Sequence, residues 1–423
     1  MSVITMNIKL KEILLLLVSF VTTFHILLFY GLPFKIFLVI FSLLAITFIV
    51  IKGSNAVVVT VSLVIGTIFF GILLKVTGLE HSMYYRPHEM FSVYDTALGH
   101  RRYQKNVHFE MQMPHGDLKV KDFSQQVVPE PRNVVFKTDS LGYRNNQDYH
   151  GQQYVLVGDS FLAGSGISQK VLITEQLLTK YGIDSYNLAH PGGIEEYAGY
   201  MNNFNKMFKS QFNFKFVLFF FEGNDFNRLP KHTPNEAQDR NNRVISSLKR
   251  YYKLFNKTSI YRFTSSALRK ILYQAQNHEM KIGELVVGEP PMSLFYFMEY
   301  KEVSDRKSLT GQDHPPIEQY LEERADDIAS IFFIPTKYRV YYNLSQSKPQ
   351  KALPHLQWEY IQKVANQLDI RATDLTPVWV NESKKLLQEG QLTFWRDDTH
   401  WNPNGIAVAA QKIAKTLTEQ DAP

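Results

Sequence analysis

The chain has 423 residues and no cysteine, which excludes disulfide frameworks, thiolate metal sites and cysteine nucleophiles. It also lacks a strong charge imbalance, because its formal net charge at pH 7 is only +6. An excess this small does not favour nucleic acid as a partner, and we expect none. No internal repeat or low-complexity tract is present. At this length the chain can form a sizeable soluble core together with a membrane part.

The positive charge is concentrated in one part of the chain. Residues 228–270 contain eleven Lys or Arg and only two acids. Over residues 244–273, aromatic and aliphatic residues recur at helical spacing. We interpret the segment as helices packed on the core with a solvated basic face. The alternatives are a lid on a membrane surface and a groove for an anionic polymer.

Long apolar runs occur near the beginning of the sequence. Residues 13–30, 34–51 and 56–74 each have about the length of a membrane-spanning helix and few charges. They predict a transmembrane anchor over residues 1–80. A cleaved signal peptide is the alternative for the first run, and buried core helices are the alternative for all three. We therefore expect a multi-pass cell-membrane protein whose remaining part is periplasmic or extracellular.

From Tyr154 onward, short apolar strands alternate with amphipathic helices. The predicted strands are 154–157, 185–188, 215–220, 329–335 and 370–372. The predicted helices are 170–181, 195–208, 317–325, 355–368 and 404–418. This alternation predicts an α/β fold in which helices cover both faces of a parallel sheet.

Two segments do not follow the alternation. Residues 81–150 are polar and turn-rich, and we expect them to form a lead-in segment packed on the main domain. Residues 226–325 interrupt the rhythm of the domain predicted over 151–423, so we interpret them as an insertion.

The stretch YVLVGDSFLAGSGIS, residues 154–168, ends its strand on Gly158, Asp159 and Ser160. A phosphate-binding P-loop is excluded because the glycine spacing is wrong and no lysine follows. The α/β-hydrolase elbow is excluded because Leu162 replaces its second glycine. Ser160 is therefore either a nucleophile at the carboxyl edge of the sheet or a helix cap. Residues 161–168, with Gly164 and Gly166, are expected only to lead flexibly into the helix.

A partner for such a nucleophile occurs near the end of the chain, in the stretch WRDDTHWNPNGIAVAA over residues 395–410. Asp397 stands three residues before His400, a spacing that allows the carboxylate to bind the imidazole Nδ1 and leave Nε2 as a base. Asp398 is the second choice for this role. A surface Asp–His pair is the alternative interpretation.

Hydrogen-bond donors for an oxyanion follow two other predicted strands. YNLAHPGG offers the backbone N–H of Gly192, with Gly193 as its neighbour, and FFFEGNDFN offers the side-chain amide of Asn224. Together with the N–H of Ser160 they would supply three donors. A plain turn residue is the alternative interpretation of Asn224.

The four motifs, in this order, resemble those of the SGNH (GDSL-type) serine hydrolase family over residues 151–420. The resemblance implies a flavodoxin-type three-layer fold, Ser160 as nucleophile, His400 and Asp397 as its partners, and an oxyanion hole of Ser160, Gly192 and Asn224. It implies no metal or organic cofactor. One departure is Glu222, which occupies the place of a glycine in the asparagine motif.

The function implied is cleavage of O-acyl esters, above all O-acetyl esters of envelope carbohydrate or lipid, through an acyl-serine intermediate. An O-acyltransferase that modifies an envelope polysaccharide with the same triad is the second hypothesis. A non-enzymatic envelope scaffold or polysaccharide-binding protein is the third. The predicted partners are thus an O-acylated carbohydrate or lipid and the membrane.

Overall fold

The computed structural model describes residues 84, 86–95, 97–122, 126–226, 282–307, 317–346 and 352–421. Nearly all of them belong to one compact unit, Tyr85–Thr233 with His278–Pro423. The strands are β1 (Ser92–Asp95), β2 (His100–Tyr103), β3 (His108–Met113), β4 (Arg132–Lys137), β5 (Tyr154–Val157), β6 (Ser185–Asn187), β7 (Lys215–Phe221), β8 (Ile282–Val287), β9 (Met292–Phe297), β10 (Ile328–Ile334) and β11 (Arg371–Asp374).

The helices in the same ranges vary from one turn to five. They are α1 (Pro87–Met90), α2 (Asp117–Lys121), α3 (Ile173–Tyr181), α4 (Ile194–Phe208), α5 (Met298–Ser304), α6 (Ile317–Glu322), α7 (Lys337–Tyr342), α8 (Leu356–Gln367), α9 (Thr376–Leu387) and α10 (Pro403–Asp421).

The centre of the unit is a five-stranded sheet in the order β11-β10-β7-β5-β6, and every neighbouring pair is parallel. Its three inner strands read YVLV, KFVLFFF and IASIFFI. Such runs of β-branched and aromatic residues form strands that are buried on both faces. Because all five strands are parallel, their carboxyl ends meet at one edge, where the site residues collect.

Each face of the sheet has its own core. On one face, α10, α9, α7 and α3 pack against apolar side chains that alternate along the strands, such as Leu156 and Phe332. On the other face, α4, α6 and α8 cover the intervening side chains, such as Val155 and Phe333. Alternation along a strand sends successive side chains to opposite faces, so the predicted sheet with two covered faces is found in the described residues.

The lead-in part of the unit consists of two antiparallel strand pairs and two short helices. β1 pairs with β2, and β3 pairs with β4. β4 brings Arg132 into the carboxyl edge of the main sheet, where it meets the loop before α10. Residues before 150 therefore contribute side chains to the site as well as packing area.

Part of the predicted insertion also has regular structure. β8 and β9 form an antiparallel hairpin, and α5 follows directly. α6 then leads into β10 of the main sheet. The basic segment 228–270, with its predicted packed helices, lid or groove, lies outside the described residues.

The fold-class prediction requires a correction for the membrane part. The three predicted spans, 13–30, 34–51 and 56–74, lie outside the described residues. Within the described ranges, no helix is both long enough and apolar enough to cross a bilayer. The longest of these helices, α10, has 19 residues, but its outer face carries polar and charged side chains such as Lys415. The part of the chain that the structure describes thus has the parallel α/β fold and contains no helix that could cross a membrane.

Candidate active site

Ser160 lies three residues after the end of β5, at the carboxyl edge of the sheet. It does not cap a helix, because turns follow it and α3 begins only at Ile173. Its Oγ lies 2.8 Å from Nε2 of His400, a residue 240 positions later in the chain. The fold thus brings together the serine and the imidazole that the sequence motifs predicted as partners.

The carboxylate that binds His400 is Asp398, whereas the sequence spacing favoured Asp397. Asp398 Oδ1 lies 2.6 Å from His400 Nδ1 and also accepts the backbone N–H of His400 at 3.1 Å. The predicted pairing of Asp397 with His400 is therefore wrong. A carboxylate two residues before the histidine can bind the ring because the loop is tightly curved. One oxygen, Asp398 Oδ1, contacts both the backbone N–H and the ring of His400.

Asp397 points away from His400 because other donors hold it. Its Oδ2 accepts the backbone N–H groups of Gly116 at 2.7 Å and Glu130 at 2.8 Å. Its Oδ1 accepts a bond of 2.8 Å from Arg132. These contacts fully bury the carboxylate and join the loop before α10 to the lead-in segment.

Arg132 binds both aspartates at once. Nη1 donates to Asp397, and Nη2 donates to Asp398 Oδ2 at 2.9 Å. The guanidinium lies over the ring of Trp395, with 4.4 Å from Cζ to the ring centroid. A planar guanidinium suits this double contact, since its donors are fixed in one plane. Arg132 therefore holds the two carboxylates side by side, with Asp398 beside the imidazole of His400.

The electrostatics of the pair favour a charged form of His400. Burial opposes the charge, but the carboxylate of Asp398, and then that of Asp117, outweighs burial and raises the pKa of His400 above its ordinary value. Burial likewise acts to raise the pKa of Asp398, but His400 and Arg132 overcome it and lower that pKa. Asp398 thus remains ionised, and it stabilises the imidazolium that forms when His400 takes a proton.

Asp117, from the first turn of α2, is a third acid at this site. Its carboxylate accepts the backbone N–H of Thr399 at 2.8 Å and the Thr399 hydroxyl at 2.5 Å. Its Oδ2 lies 3.7 Å from His400 Nδ1. Burial and the neighbouring Asp398 raise the pKa of Asp117 to about 6, while His400 acts in the opposite direction. The pKa of Asp117 therefore lies close to the ordinary pKa of a histidine.

Lys337, at the start of α7, supports the same loop from the sheet side. Its Nζ donates to the backbone carbonyls of Trp395, Arg396 and Asp398 at 2.7, 3.0 and 3.2 Å. Burial lowers the pKa of Lys337 to about 8, although the nearby carboxylates raise it. Three carbonyl acceptors around one ammonium fix the backbone that carries the aspartate pair.

The turn after Ser160 was predicted as a flexible lead into a helix, and the structure corrects this. Its residues from Phe161 to Ile167 are all buried. Arg144 of the lead-in segment holds the turn, donating to four backbone carbonyls, those of Val135, Ala163, Gly164 and Ile167. Gly164 and Gly166 have positive φ values of 76° and 72°, which glycine adopts without strain. The turn is thus fixed from inside the protein.

Asn224 lies after β7, beside the Ser160 turn. Its Nδ2 donates to Asp159 Oδ2 at 3.2 Å, and Asp159 Oδ1 accepts the backbone N–H of Phe161 at 2.9 Å. An amide nitrogen carries two hydrogens, so the bond to Asp159 leaves one for a ligand. Asp159 thereby connects Asn224, the predicted amide donor, to the backbone just after Ser160, the predicted nucleophile.

The loop that carries Gly192 is tied to the Ser160 turn by Asn187. Asn187 Nδ2 donates to Leu162 O at 3.1 Å, and its Oδ1 accepts the N–H of Ala189 at 2.9 Å. The N–H of Gly193 is occupied, since it donates to Glu196 Oε2 at 2.8 Å. Of the two glycines, Gly192 is therefore the better candidate for an oxyanion donor.

Glu222 replaces a glycine of the family motif, and its contacts explain the change. The carboxylate is fully buried; Oε1 accepts bonds from Arg339 at 2.8 and 2.5 Å, and Oε2 accepts the N–H of Thr336 at 2.9 Å. Burial disfavours the charge, but Arg339 lowers the pKa of Glu222 below its ordinary value. The residue joins the end of β7 to the start of α7 and leaves Asn224 at the sheet edge.

The nearest arrangement to a metal site in the described ranges is the set Asp117, Asp398 and His400, whose ligand atoms lie within 4.8 Å of one another. These acceptors are already used: Thr399 donates to Asp117, and Arg132 and His400 bind Asp398. The set fits a proton-transfer arrangement better than a cation site.

Several residues of the site have no signal in the sequence. Arg132, Arg144 and Asp117 belong to the lead-in segment, more than two hundred residues from the loop before α10. Lys337 starts a helix shortly after an apolar strand, and nothing in the local sequence marks it as a site residue. Only Asp398 was within reach of sequence reasoning, as the second carboxylate of the DDTH stretch.

Two comparisons with known proteins bear on this site. Residues 298–423 match the family model described as "SGNH hydrolase-like domain, acetyltransferase AlgX". The resemblance to SGNH-type proteins is confirmed. The matched residues include Asp398 and His400, while Ser160 precedes them.

A curated relative gives a second, local match. The chain is 33% identical over 88 residues to a probable alginate O-acetylase AlgJ of Pseudomonas fluorescens. The aligned stretch covers 21% of this chain and 21% of that protein, so the chain spans about a fifth of the length of the curated relative it matches.

Proposed function

We propose that this chain is an enzyme that moves O-acyl groups through an acyl-serine intermediate formed on Ser160. The observation that carries the proposal is the continuous hydrogen-bond chain from Ser160 Oγ through both nitrogens of His400 to Asp398. A serine hydroxyl is a weak nucleophile at neutral pH and needs such a base. The comparisons, an SGNH hydrolase-like domain and an O-acetylase, suggest an acyl-modifying enzyme as well.

In the first half-reaction, Ser160 Oγ attacks the carbonyl carbon of an acyl ester while His400 Nε2 takes the hydroxyl proton. The imidazolium is stabilised by Asp398 at Nδ1. The oxyanion of the tetrahedral intermediate would be bound by the N–H groups of Ser160 and Gly192 and by the Asn224 amide. Collapse breaks the bond to the alcohol, which leaves with the proton from His400.

In the second half-reaction, an acceptor hydroxyl attacks the acyl-serine. His400 Nε2 takes the acceptor's proton, and collapse of the second tetrahedral intermediate returns that proton to Ser160 Oγ. If the acceptor is water, the reaction is ester hydrolysis; if it is a sugar hydroxyl, the reaction is acyl transfer. The same residues serve both outcomes.

We favour transfer of acetyl groups to a polysaccharide, with hydrolysis as the second candidate. The names of the matched family model and relative, an acetyltransferase and an alginate O-acetylase, support this order. The order expected from the sequence alone was the reverse. A location outside the cytoplasm stays a prediction.

A non-enzymatic role fits the site poorly. Asp398 and Arg132 are fully or almost fully buried, and such charges cost free energy to desolvate. A scaffold protein has no need of a base aimed at a serine over 2.8 Å. The arrangement is the one that nucleophilic catalysis requires.

The proposal is tested by labelling the full chain with a fluorophosphonate and by assaying it on an aryl acetate. Wild type is expected to become labelled and to release acetate, whereas Ser160→Ala and His400→Ala lose both. Ser168→Ala, a change at a serine eight residues later and just past the same turn, is the matched control and should remain labelled. Equal labelling of wild type and Ser160→Ala would refute a serine enzyme.

Product analysis then separates transfer from hydrolysis. The acetylated enzyme is mixed with an oligosaccharide acceptor, and free acetate and acetylated sugar are measured together. Transfer predicts that acetylated sugar grows at the expense of free acetate as acceptor concentration rises. Free acetate that is independent of the acceptor would favour the esterase.

A further inference from the structure

His190 is a buried histidine that the proposed reaction does not use. It stands in the loop between β6 and α4, two residues before Gly192, and it is only 2% exposed. Its Nδ1 lies 3.0 Å from the backbone carbonyl oxygen of Pro191, and its Nε2 lies 2.9 Å from Ser92 Oγ. The ring of Tyr103 packs beside it at 4.7 Å between centroids.

These contacts fix the protonation of the ring. A carbonyl oxygen only accepts hydrogen bonds, so Nδ1 must carry the hydrogen. Burial, then the nearby Arg101 and His100, lowers the pKa of His190 to about 3, against the opposing effect of the Pro191 carbonyl. The ring is therefore neutral, and its Nε2 accepts the hydroxyl hydrogen of Ser92. A base this weak does not activate a serine at neutral pH, so Ser92 and His190 are not a second nucleophile pair.

The hydrogen bond from His190 matters because its acceptor, the carbonyl oxygen of Pro191, belongs to the peptide group before Gly192. The carbonyl of Pro191 and the N–H of Gly192 belong to one peptide group, which is planar, with the oxygen and hydrogen on opposite sides. A bond that fixes the direction of the Pro191 oxygen therefore fixes the direction of the Gly192 hydrogen. Glycine has little steric restraint of its own, so the peptide needs such an external hold.

We propose that His190 is a positioning residue that aims the Gly192 N–H at the oxyanion, with Ser92 holding the ring. The inference rests on the proposed function, which assigns Gly192 as an oxyanion donor. Two neighbouring contacts complete the arrangement: Glu196 holds the next peptide through the Gly193 N–H, and Asn187 ties the loop to the Ser160 turn. The loop is thereby held on both sides of Gly192.

The test compares three variants of His190 and Ser92 in the full chain on the aryl acetate. Loss of one oxyanion donor costs about 10²–10³ in kcat, so His190→Ala, which only misdirects a donor, is expected to lower kcat about ten- to a hundredfold with KM little changed. His190→Asn places an amide N–H near the position of Nδ1 and should restore most of kcat. Ser92→Ala should lower kcat by a smaller factor in the same direction.

Binding of a trifluoromethyl ketone gives a readout that a purely structural role would not move. Its adduct with a serine carries an oxyanion, so its affinity should fall by the same factor as kcat/KM in each variant. His100→Ala is the matched control, because His100 is also buried and its Nδ1 contacts the next carbonyl, Arg101 O, at 3.0 Å. That variant should keep kcat, whatever its melting temperature.

The outcomes separate the two proposals. Unchanged kcat in a folded His190→Ala variant, or no rescue by His190→Asn, would overturn the role of His190 while leaving the serine mechanism intact. If His190→Ala does not fold, unchanged kcat in Ser92→Ala has the same consequence. A wild-type chain without Ser160-dependent turnover would overturn the proposed function and this inference with it.

Discussion

At the scale of single residues, two adjacent aspartates of the site make different contacts. Asp398 faces the imidazole, and Asp397 faces Arg132 and two backbone N–H groups. Both are buried, so neither role depends on solvent. Substitution of each by asparagine should therefore affect different quantities.

We expect Asp398→Asn to lower kcat by about 10³–10⁴, because the imidazole loses the carboxylate that sets its tautomer and stabilises its charge. Asp397→Asn should act mainly on the free energy of unfolding, by up to about 3–5 kcal/mol, since it breaks a buried ion pair. Steady-state kinetics and urea denaturation measure the two effects. The assignment is wrong if Asp397→Asn abolishes turnover in a stable protein and Asp398→Asn does not.

The acid limb of the pH profile depends on Asp117. His400 must be neutral to accept a proton, and its raised pKa places the loss of activity above the ordinary histidine range as pH falls. Asp117→Asn removes a negative charge 3.7 Å from Nδ1. The charged form of His400 is then less favoured, so the acid limb of kcat/KM moves to lower pH.

The shape of that limb should change as well. In wild type, Asp117 and His400 interact, so two coupled titrations contribute to it; in Asp117→Asn only one remains. Asp184→Asn is the control, because Asp184 is a half-exposed residue that pairs with His150. A limb that stays in place in Asp117→Asn would show that this acid does not act on His400.

At the scale of elements, the nucleophile turn is held by a residue of another segment. Arg144 is fully buried, and it donates hydrogen bonds to four backbone carbonyls and to the Gln169 side chain. Burial lowers its pKa to about 10, yet this still leaves the guanidinium charged at neutral pH. The carbonyl oxygens around it take the place of a counter-ion.

Arg144→Lys tests this arrangement. Lysine keeps the charge but not the planar set of donors, so several buried carbonyls lose their partner. We expect a loss of about 3 kcal/mol or more in the free energy of unfolding, together with lower kcat. Arg371→Lys, at a partly exposed pair with Glu419, should change stability by less than about 1 kcal/mol. Equal effects of the two changes would contradict the role of Arg144.

At the scale of the whole molecule, the sequence predicts the strands of the main sheet well, but it does not predict the side-chain contacts between distant segments. The five predicted strands lie within a residue or two of the observed ones, because continuous apolar runs such as KFVLFFF have few alternatives inside a protein. α9 was not among the predicted helices, and it has Pro377 in its first turn, where proline is tolerated.

The choice between Asp397 and Asp398 shows why the rest could not be predicted. Spacing along the chain allows either residue to reach His400. Arg132, which stands 265 positions before Asp397 and 266 before Asp398, binds both of them, and the backbone N–H groups of Gly116 and Glu130 bind Asp397 as well. Pair contacts over such separations follow from the finished fold and leave no mark in local sequence.

The same separation has a consequence for how the protein is made. A ribosome adds about 5–20 residues per second, so Arg132 is synthesised on the order of tens of seconds before Asp397 and Asp398. Until then, its guanidinium has neither of its carboxylate partners. The hydrogen-bonded set of Ser160, His400 and Asp398 can form only after these later residues have been translated, so a nascent chain that already contains Ser160 does not yet have His400 beside it.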